Sequence, residues 1–526
     1  MHWLSRRIPI VKSGRLFTLF YLQENIIALL RTYYITKVQV CQGFYEILVK
    51  YQQKMNKMQK SCTNYCKKSV KMLQFFTMRG VRNMFIGFKV KNFLSFEKEV
   101  DFSLEAGKGR NFNERVYNQK NSKTLKFASL FGANGSGKSN FVKAIAFSQR
   151  YILNGNNRAI IQQYYKLNSL CKEMPTLFEY KIGVGENVYT YGFEVILSKN
   201  QILNEWLICN SRTDNLIFRH ERQQNTLILG KYFKNEELKR KLMFFSDSID
   251  SSSNSLFLNS ISKYNNLFIE HSEAVVLKEV FNWFANKLKV KFPDSIISDY
   301  AYFMSEKNMD DILNFFKDFD LSISNYKFIK CPQEQIALNL PKEIFDDLIA
   351  SIENELFKDN IEDNRVMFGL GDDFYIAKAV DEQLSFETIQ FYHEETEIPF
   401  HMHEESDGTK KIFKLLEILF QEDDVAYVVD EIDRCLHPLL TYNFVAAFLQ
   451  KAKIKDCQLI VSTHESLLLD FDLLRKDEMW LVSKESGSTK LESVGDTTIR
   501  ADKKLIKEYL LGCKGVPKIK DNAYKV

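Results

Sequence analysis

No stretch of 18 or more uninterrupted apolar residues occurs in the 526-residue chain, which argues against a membrane-spanning helix. The nearest approach, 16–30, is broken by Gln23, Glu24 and Asn25 and closed by Arg31. The nine cysteines (41, 62, 66, 171, 209, 331, 435, 457, 513) are scattered and odd in number, with no secretory signal ahead of them. That pattern excludes a disulfide scaffold and reads as reduced thiols of a cytoplasmic protein. No apolar heptad persists for three or four repeats, so a long coiled-coil arm is not expected. Acidic residues are nearly missing from 1–83, where only Glu24 and Glu46 stand against 15 lysines and arginines. This stretch carries +13 and the remainder −8, so the net +5 describes neither part. A body of that charge gives no global argument for nucleic-acid binding.

What is present is ordinary globular composition, 45% hydrophobic and 26% charged, in a length suited to several domain-sized units. Residues 1–83 keep no periodicity for long, and three readings of them stand open. They form a basic arm for nucleic acid or an anionic membrane. They are an organellar leader, which so many Lys and Tyr fit poorly. Or translation starts at Met84, where a strand, 85–90, begins just after 78–82, a stretch that a ribosome-binding sequence can encode. Cys62 and Cys66 lack a second pair of ligands and make no zinc site.

An apolar run, 127–131, leads into Gly132-Ala133-Asn134-Gly135-Ser136-Gly137-Lys138-Ser139, and a helix follows with Val142, Ile145 and Ala146 on one face. This is the phosphate-cradling P-loop in its strand–loop–helix setting. Gly135 and Gly137 let backbone N–H groups approach phosphate oxygens without an intervening Cβ, and the helix N-terminus adds its dipole. Lys138 is expected at the β- and γ-phosphates, and the Ser139 hydroxyl on Mg²⁺. A second apolar strand, 425–429, ends in Asp430-Glu431. Adjacent acids at a strand end are common turns, but beside a P-loop Asp430 reads as a Mg²⁺ ligand and Glu431 as the base that polarises water. A third strand, 458–461, runs into Ser462-Thr463-His464. A lone histidine there is more often structural; in this company His464 is placed for the γ-phosphate. The 34 residues from Asp430 to His464 fit one strand–helix–strand crossover.

Four blocks together resemble the ABC-type AAA-family ATPases of the RecF/SMC/OLD clan: 90–96 (Val-Lys-Asn-Phe-Leu-Ser-Phe), 132–139, Ser406-Asp407-Gly408-Thr409, and Asp430-Glu431-Ile432-Asp433 with Leu436-His437-Pro438. Within that clan the likeness is to the stand-alone RloA/AbiL-like ATPases of anti-phage and abortive-infection systems. Weaker motifs fit as well: Tyr189-Thr-Tyr-Gly-Phe-Glu194, Glu205-Trp206-Leu207 and Tyr509-Leu-Leu-Gly512 with Gly515-Val-Pro517. The resemblance spans 84–517. It implies an α/β fold: a P-loop ABC-type ATPase head with an antiparallel β subdomain and a compact helical insert. It implies further that Ser406 and Gly408 belong to a signature loop touching ATP on a second protomer in a head-to-tail homodimer, and that Asp433 crosses that interface. Ser406 and Gly408 then sit at the amino end of a helix, 410–420, where phosphate is favoured. Cys435 stands where the family more often has Ser. The glutamine that usually senses Mg²⁺ is not identifiable; Gln162 and Gln163 are weak candidates.

These readings divide the chain into a basic extension (1–83), an ATPase lobe with P-loop and antiparallel strands (84–234), a mainly helical insert (235–385) and a second ATPase lobe (386–526). In the insert Leu277, Val280, Phe281, Phe284 and Leu288 fall at helical spacing, and Phe315, Phe316 and Phe319 read as core. The basic cluster Lys234, Lys239, Arg240 and Lys241 is interleaved with Glu236 and Glu237 and reads as a solvated helix face. His401 and His403 would share a strand face, but without a further ligand a metal site is the weaker reading. The expected function is an ATP-binding and ATP-hydrolysing switch, with ATP and Mg²⁺ as cofactors, gating a separate effector such as a nuclease or toxin. Only 62 residues follow His464, too few for a fused nuclease domain of the OLD type. The alternatives are a RecF-like repair or chromosome ATPase that clamps DNA and, less well matched, a transporter ATPase subunit. Nucleic acid stays open as a ligand; a membrane is not expected.

Overall fold

The computed structural model describes residues 83–497, apart from 108, 110, 120–121, 156–161, 211–213, 250–254, 296–300, 305, 339, 357–364, 381–382, 394–395 and 421–423, together with Tyr509. The readings of 1–82 and of 512–517 lie outside the described residues. In chain order, Met84–Lys91 (β1) pairs antiparallel with Val100–Ser103 (β2). Val116–Gln119 (β3) and Ser122–Leu125 (β4) form a hairpin, and Phe127–Phe131 (β5) runs to helix Lys138–Asn154 (α1). A meander follows: Thr176–Val184 (β6), Asn187–Ile196 (β7), Gln201–Asn210 (β8), Asp214–Glu221 (β9) and Thr226–Leu229 (β10). It joins β1 and β2 in one sheet of order β10-β9-β8-β7-β6-β1-β2. After several short helices come Leu288–Lys291 (β11), Ile323–Cys331 (β12), Arg365–Leu370 (β13), Asp373–Val380 (β14), Gln383–His393 (β15) and Pro399–His401 (β16). The chain continues through Asp407–Phe420 (α2), Ala426–Val429 (β17), Pro438–Ile454 (α3), Gln458–Thr463 (β18), Met479–Glu485 (β19) and Ser488–Ser493 (β20).

The central sheet has the order β11-β17-β18-β5-β19-β20, parallel throughout except for the last pair. Every residue of β5, β17 and β18 is buried, as continuous apolar strands covered on both faces must be. Ala128, Leu130, Val428 and Ile460 share a core with Phe141, Val142 and Ile145 of α1 and with the meander. Phe127, Tyr427, Leu459 and Val461 instead share one with α2 and α3, through Phe413, Leu416, Phe444 and Phe448. Gln458 stitches the layers: its amide accepts from the Phe85 N–H at 2.6 Å and donates to the Phe85 and Leu125 carbonyls at 2.8 and 3.0 Å.

The two weaker motifs of the meander have a structural cause. Gly192 lies opposite Trp206 across β7 and β8, and a Cβ on it would meet the indole at 2.5 Å. Glu205 is fully buried, accepting from the Phe257 and Leu258 N–H groups at 2.5 and 2.9 Å and from the Tyr191 hydroxyl at 2.9 Å. It thereby ties the sheet to the amino end of helix Phe257–Ser262. Burial raises its carboxyl to about 7, against the pull of those donors. A raised carboxylate binds its proton more tightly folded than unfolded, so its contribution to stability is fullest below about 4.5 and declines as pH rises to about 7. The stability advantage of the parent over Glu205→Ala should therefore shrink by about 2 kcal/mol between pH 5.5 and 7.5. Urea unfolding at the two pH values measures this; an advantage constant with pH would refute it.

Residues 235–385 carry helices as far as Leu356, Glu236–Ser248, Glu306–Asp318 and Lys342–Leu356 among them, and Phe315, Phe316 and Phe319 are core as expected. But β12 to β15, with β16 beside β15, build a second antiparallel sheet, and the boundary placed at 385/386 cuts through β15. Its hairpin signal is the two-residue turn Gly371-Asp372, with Gly371 at φ 62° and Leu370 facing Asp373. The same segment supplies β11, the edge strand beside β17. Around Leu238 the polar face is as expected: Lys239 pairs with Glu236 and Lys241 with Glu237, while Leu238 and Leu242 are buried.

Candidate nucleotide site

Three motif loops meet because β17, β18 and β5 are adjacent and parallel. Their carboxyl ends, Val429, Thr463 and Phe131, deliver Asp430-Glu431, His464 and Gly132 to one edge, where open parallel sheets place ligands. In the P-loop, Gly135 and Gly137 take φ of 75° and 115°, conformations that a side chain disfavours. Around Gly135 a Cβ would find open space, whereas at Gly137 it would lie 2.1 Å from Thr489 Oγ1. Gly132 is closed in as well: a Cβ there would sit 2.3 Å from the Val482 carbonyl. Asn134 is exposed, Ala133 and Ser139 are half-buried, and Ser136 is buried.

Lys138 is only 4% exposed. Its Nζ donates to the Gly132 and Ala133 carbonyls at 2.7 and 3.2 Å and lies 3.4 Å from His464 Nδ1. Burial pushes the ammonium down to about 8, although Asp433, Asp430 and Glu431 all pull it up. Burial, and then the Lys138 charge, also lowers His464. The loop thus holds a buried cation whose charge offsets part of the field of three carboxylates.

Beyond the strand ends, Ser462 organises the acids. Its Oγ donates to Asp430 Oδ1 at 2.5 Å and accepts from the Glu431 N–H at 2.9 Å. Glu431 stands at φ 48°, an uncommon conformation for a side-chain-bearing residue. Its carbonyl accepts from the Arg434 N–H and from Lys411 Nζ, each at 3.1 Å. Lys411 is itself buried and pushed down to about 8 by that burial. Asp433 accepts from the His464 N–H at 3.2 and 3.3 Å within the same chain. His437 caps α3, accepting from the Leu439 N–H, with Pro438 in the first turn; this accounts for the Leu-His-Pro block.

Ser406 caps α2, its Oγ accepting from the Thr409 N–H at 3.1 Å. The helix starts at Asp407, three residues before the expected 410. Gly408 packs against the Cys435 carbonyl, which a Cβ would approach to 3.1 Å. Ser406 and Gly408 therefore adjoin the loop after β17, and among the described residues no hydrogen bond joins them to the P-loop. His401 ends β16, and His403 lies in the turn that follows rather than on the expected strand face. His403 Nδ1 is 2.7 Å from Asp373, and among the described residues no trio of ligating side chains assembles there. Gln162 is exposed; Gln163 offers its carbonyl to the Leu94 N–H at 2.7 Å. Tyr509 is buried against the Phe131 ring. Ser462, Lys411 and Thr489 were not singled out from the sequence. Only Ser462 left a signal, a small polar residue following a buried apolar run two places before His464.

Among the described residues no helix is long and apolar enough to cross a membrane. Residues 127–470 match the family described as AAA domain, putative AbiEii toxin, Type IV TA system. No curated protein matches the chain. Solved structures similar to it include the SMC head domain from Thermotoga maritima, at 13% identity and a TM-score of 0.28 over 78% of this chain and 98% of that one. A Smc head with an extended coiled coil bound to the C-terminal domain of ScpA, from Pyrococcus furiosus, gives 15% and 0.34 over 78% and 96%. A Smc head with a coiled coil and joint, from Pyrococcus yayanosii, gives 13% and 0.35 over 81% and 100%.

Proposed function

The chain belongs to this AAA-domain family of putative AbiEii toxins, and from that premise we propose an ATP-binding and ATP-hydrolysing switch that works as a head-to-tail homodimer and gates a separate effector in anti-phage defence. The observation that carries the reading is the meeting of Lys138, Asp430, Glu431, Asp433 and His464 at one edge of the parallel sheet. A triphosphate fits the loop's own chemistry. Ser136 Oγ is buried without a hydrogen-bond partner, and the space around Gly135 is open. Mg²⁺, when bound, neutralises phosphate charge; Ser139 and Asp430 would hold it, a sparse oxygen set suited to a cation that keeps water and phosphate oxygens in its shell.

In this reading Lys138 holds the β- and γ-phosphate oxygens, and the N–H groups opening α1 complete the cradle. Glu431 takes the proton from the attacking water, and His464 donates to the γ-phosphate. Ser406 and Gly408, at the amino end of α2 and with no hydrogen bond to the P-loop of their own chain among the described residues, suit the phosphates of a partner protomer. Light scattering with and without ATP and Mg²⁺ tests this: a dimer that needs nucleotide is expected, and a strict monomer at saturating ATP would remove the shared-site mechanism. The effector is placed in trans, so the purified chain should not degrade nucleic acid. Degradation that persists in Glu431→Gln would overturn that assignment.

Ser462 gives a finer test, because one hydroxyl fixes both acids. Ser462→Ala should lower kcat about tenfold, as loss of an orienting partner does. Steady-state phosphate release reads it, and an unchanged kcat would detach Ser462 from the reaction.

A further inference from the structure

The hairpin of β19 and β20 reaches the P-loop from a part of the chain that no motif marks. Thr489 is the second residue of the returning strand and is buried. Its N–H donates to the Ser95 carbonyl at 2.7 Å, and its Oγ1 lies 2.9 Å from the Ser136 carbonyl and 2.8 Å from Ser95 Oγ. Asn140 Nδ2, on α1, donates to Ser95 Oγ at 2.8 Å. The proton directions follow from the chemistry of the groups. Thr489 Oγ1 is the donor toward both the Ser136 carbonyl and Ser95 Oγ, sharing its single proton between them, and Ser95 Oγ accepts from Asn140 as well. These bonds tie the four groups into one chain.

That chain has a consequence for the cradle. In a trans peptide the C=O of one residue and the N–H of the next point in opposite directions. The described chain has no cis peptide bond. Thr489 draws the Ser136 carbonyl toward the hairpin, so the Gly137 N–H is turned the other way. The tight fit of Thr489 against Gly137, where no Cβ can be placed, fixes the same peptide from its other side.

Resting on the ATP-binding reading above, we infer that Thr489 is a positioning residue for nucleotide: its hydroxyl orients the Ser136–Gly137 peptide so that the Gly137 N–H is presented to a phosphate oxygen. Thr489 touches neither phosphate nor water in this role. It sets the affinity of the cradle and leaves the hydrolytic groups on β17 and β18 alone.

The test compares Thr489→Val, which keeps the shape and loses the hydroxyl, with Thr489→Ser, which keeps the hydroxyl. Each full-length variant is titrated with a fluorescent ATP analogue and assayed for phosphate release over a range of ATP. For Thr489→Val, Kd and KM should rise about tenfold with kcat at saturation within about twofold of the parent, the mark of lost uniform binding. Thr489→Ser should restore both. Thr489→Ala, which also loses the hydroxyl, should raise Kd likewise and serves if Thr489→Val does not fold. Parental Kd in Thr489→Val, or in Thr489→Ala where the valine variant does not fold, overturns the assignment, as does a fall in kcat that Thr489→Ser shares. If the parent itself binds no ATP, the nucleotide reading falls and takes this one with it; binding by the parent that Thr489→Val leaves untouched removes this inference alone.

Discussion

Glu431→Gln should lower kcat for ATP by about 10²–10³ while leaving nucleotide affinity near the parental value. The expectation rests on how little else the substitution disturbs. The Glu431 backbone is fixed by its own N–H to Ser462 Oγ and by its carbonyl, which takes the Arg434 N–H and Lys411 Nζ. None of these bonds involves the carboxylate. Among the described residues the side chain has one ion-pair partner at long range, Arg434 at 3.9 Å on the surface, and such a pair adds little stability. Glutamine keeps the shape and loses only the capacity to accept a proton from water. A bound but uncleaved triphosphate should then hold two protomers together, so the variant is expected to remain a dimer after the parent has consumed its ATP and dissociated. Turnover at the parental rate would show that Glu431 is not the base. A strictly monomeric Glu431→Gln at saturating nucleotide would show that the pocket is not shared.

The reach of the sequence is explained by the distance over which each signal acts. The P-loop was legible because strand, glycines, lysine and helix are consecutive, and the geometry follows from local chain chemistry. Asp430 and His464 were legible because a fully buried strand announces its end by its first polar residues, and adjacent parallel strands bring such ends together. β11 was hidden: Leu288-Lys-Val-Lys291 is four residues long, and its strand state depends on β17, more than a hundred residues later. The sheet of β12 to β15 was hidden for a related reason. Lys330, Arg365 and Lys378 interrupt its apolar alternation, and β14 buries both faces, Phe374 and Ile376 in one core and Tyr375 and Ala377 in another, so no period of two marks it. Thr489 could not be read at all. Nothing in Ser488-Thr489 marks it until the fold carries it across 353 positions to the Ser136 carbonyl.

Lys138→Ala should abolish detectable turnover and weaken nucleotide binding by about 10²-fold or more, through two effects of the same sign. The first is loss of charge-assisted donation to phosphate oxygens, which alone is worth about 1.5–3 kcal/mol. The second is what remains. Asp430, Glu431 and Asp433 all act on Lys138, and without its cation the loop faces an incoming triphosphate with uncompensated negative charge. Folding should respond much less. The ammonium is buried at a cost that depresses it to about 8, and its partners within the loop are two carbonyls, which lose a donor but carry no charge. Calorimetric titration with ATP, set beside thermal unfolding of the unliganded chain, separates the two. Lost binding with a melting temperature within a few degrees of the parent is the expected pair. It also distinguishes the substitution from Thr489→Val, where binding weakens yet saturation restores the rate; in Lys138→Ala no concentration of ATP should restore it, because the same ammonium is required as charge passes to the leaving phosphate. Parental affinity in Lys138→Ala would mean that the loop between β5 and α1 does not hold phosphate.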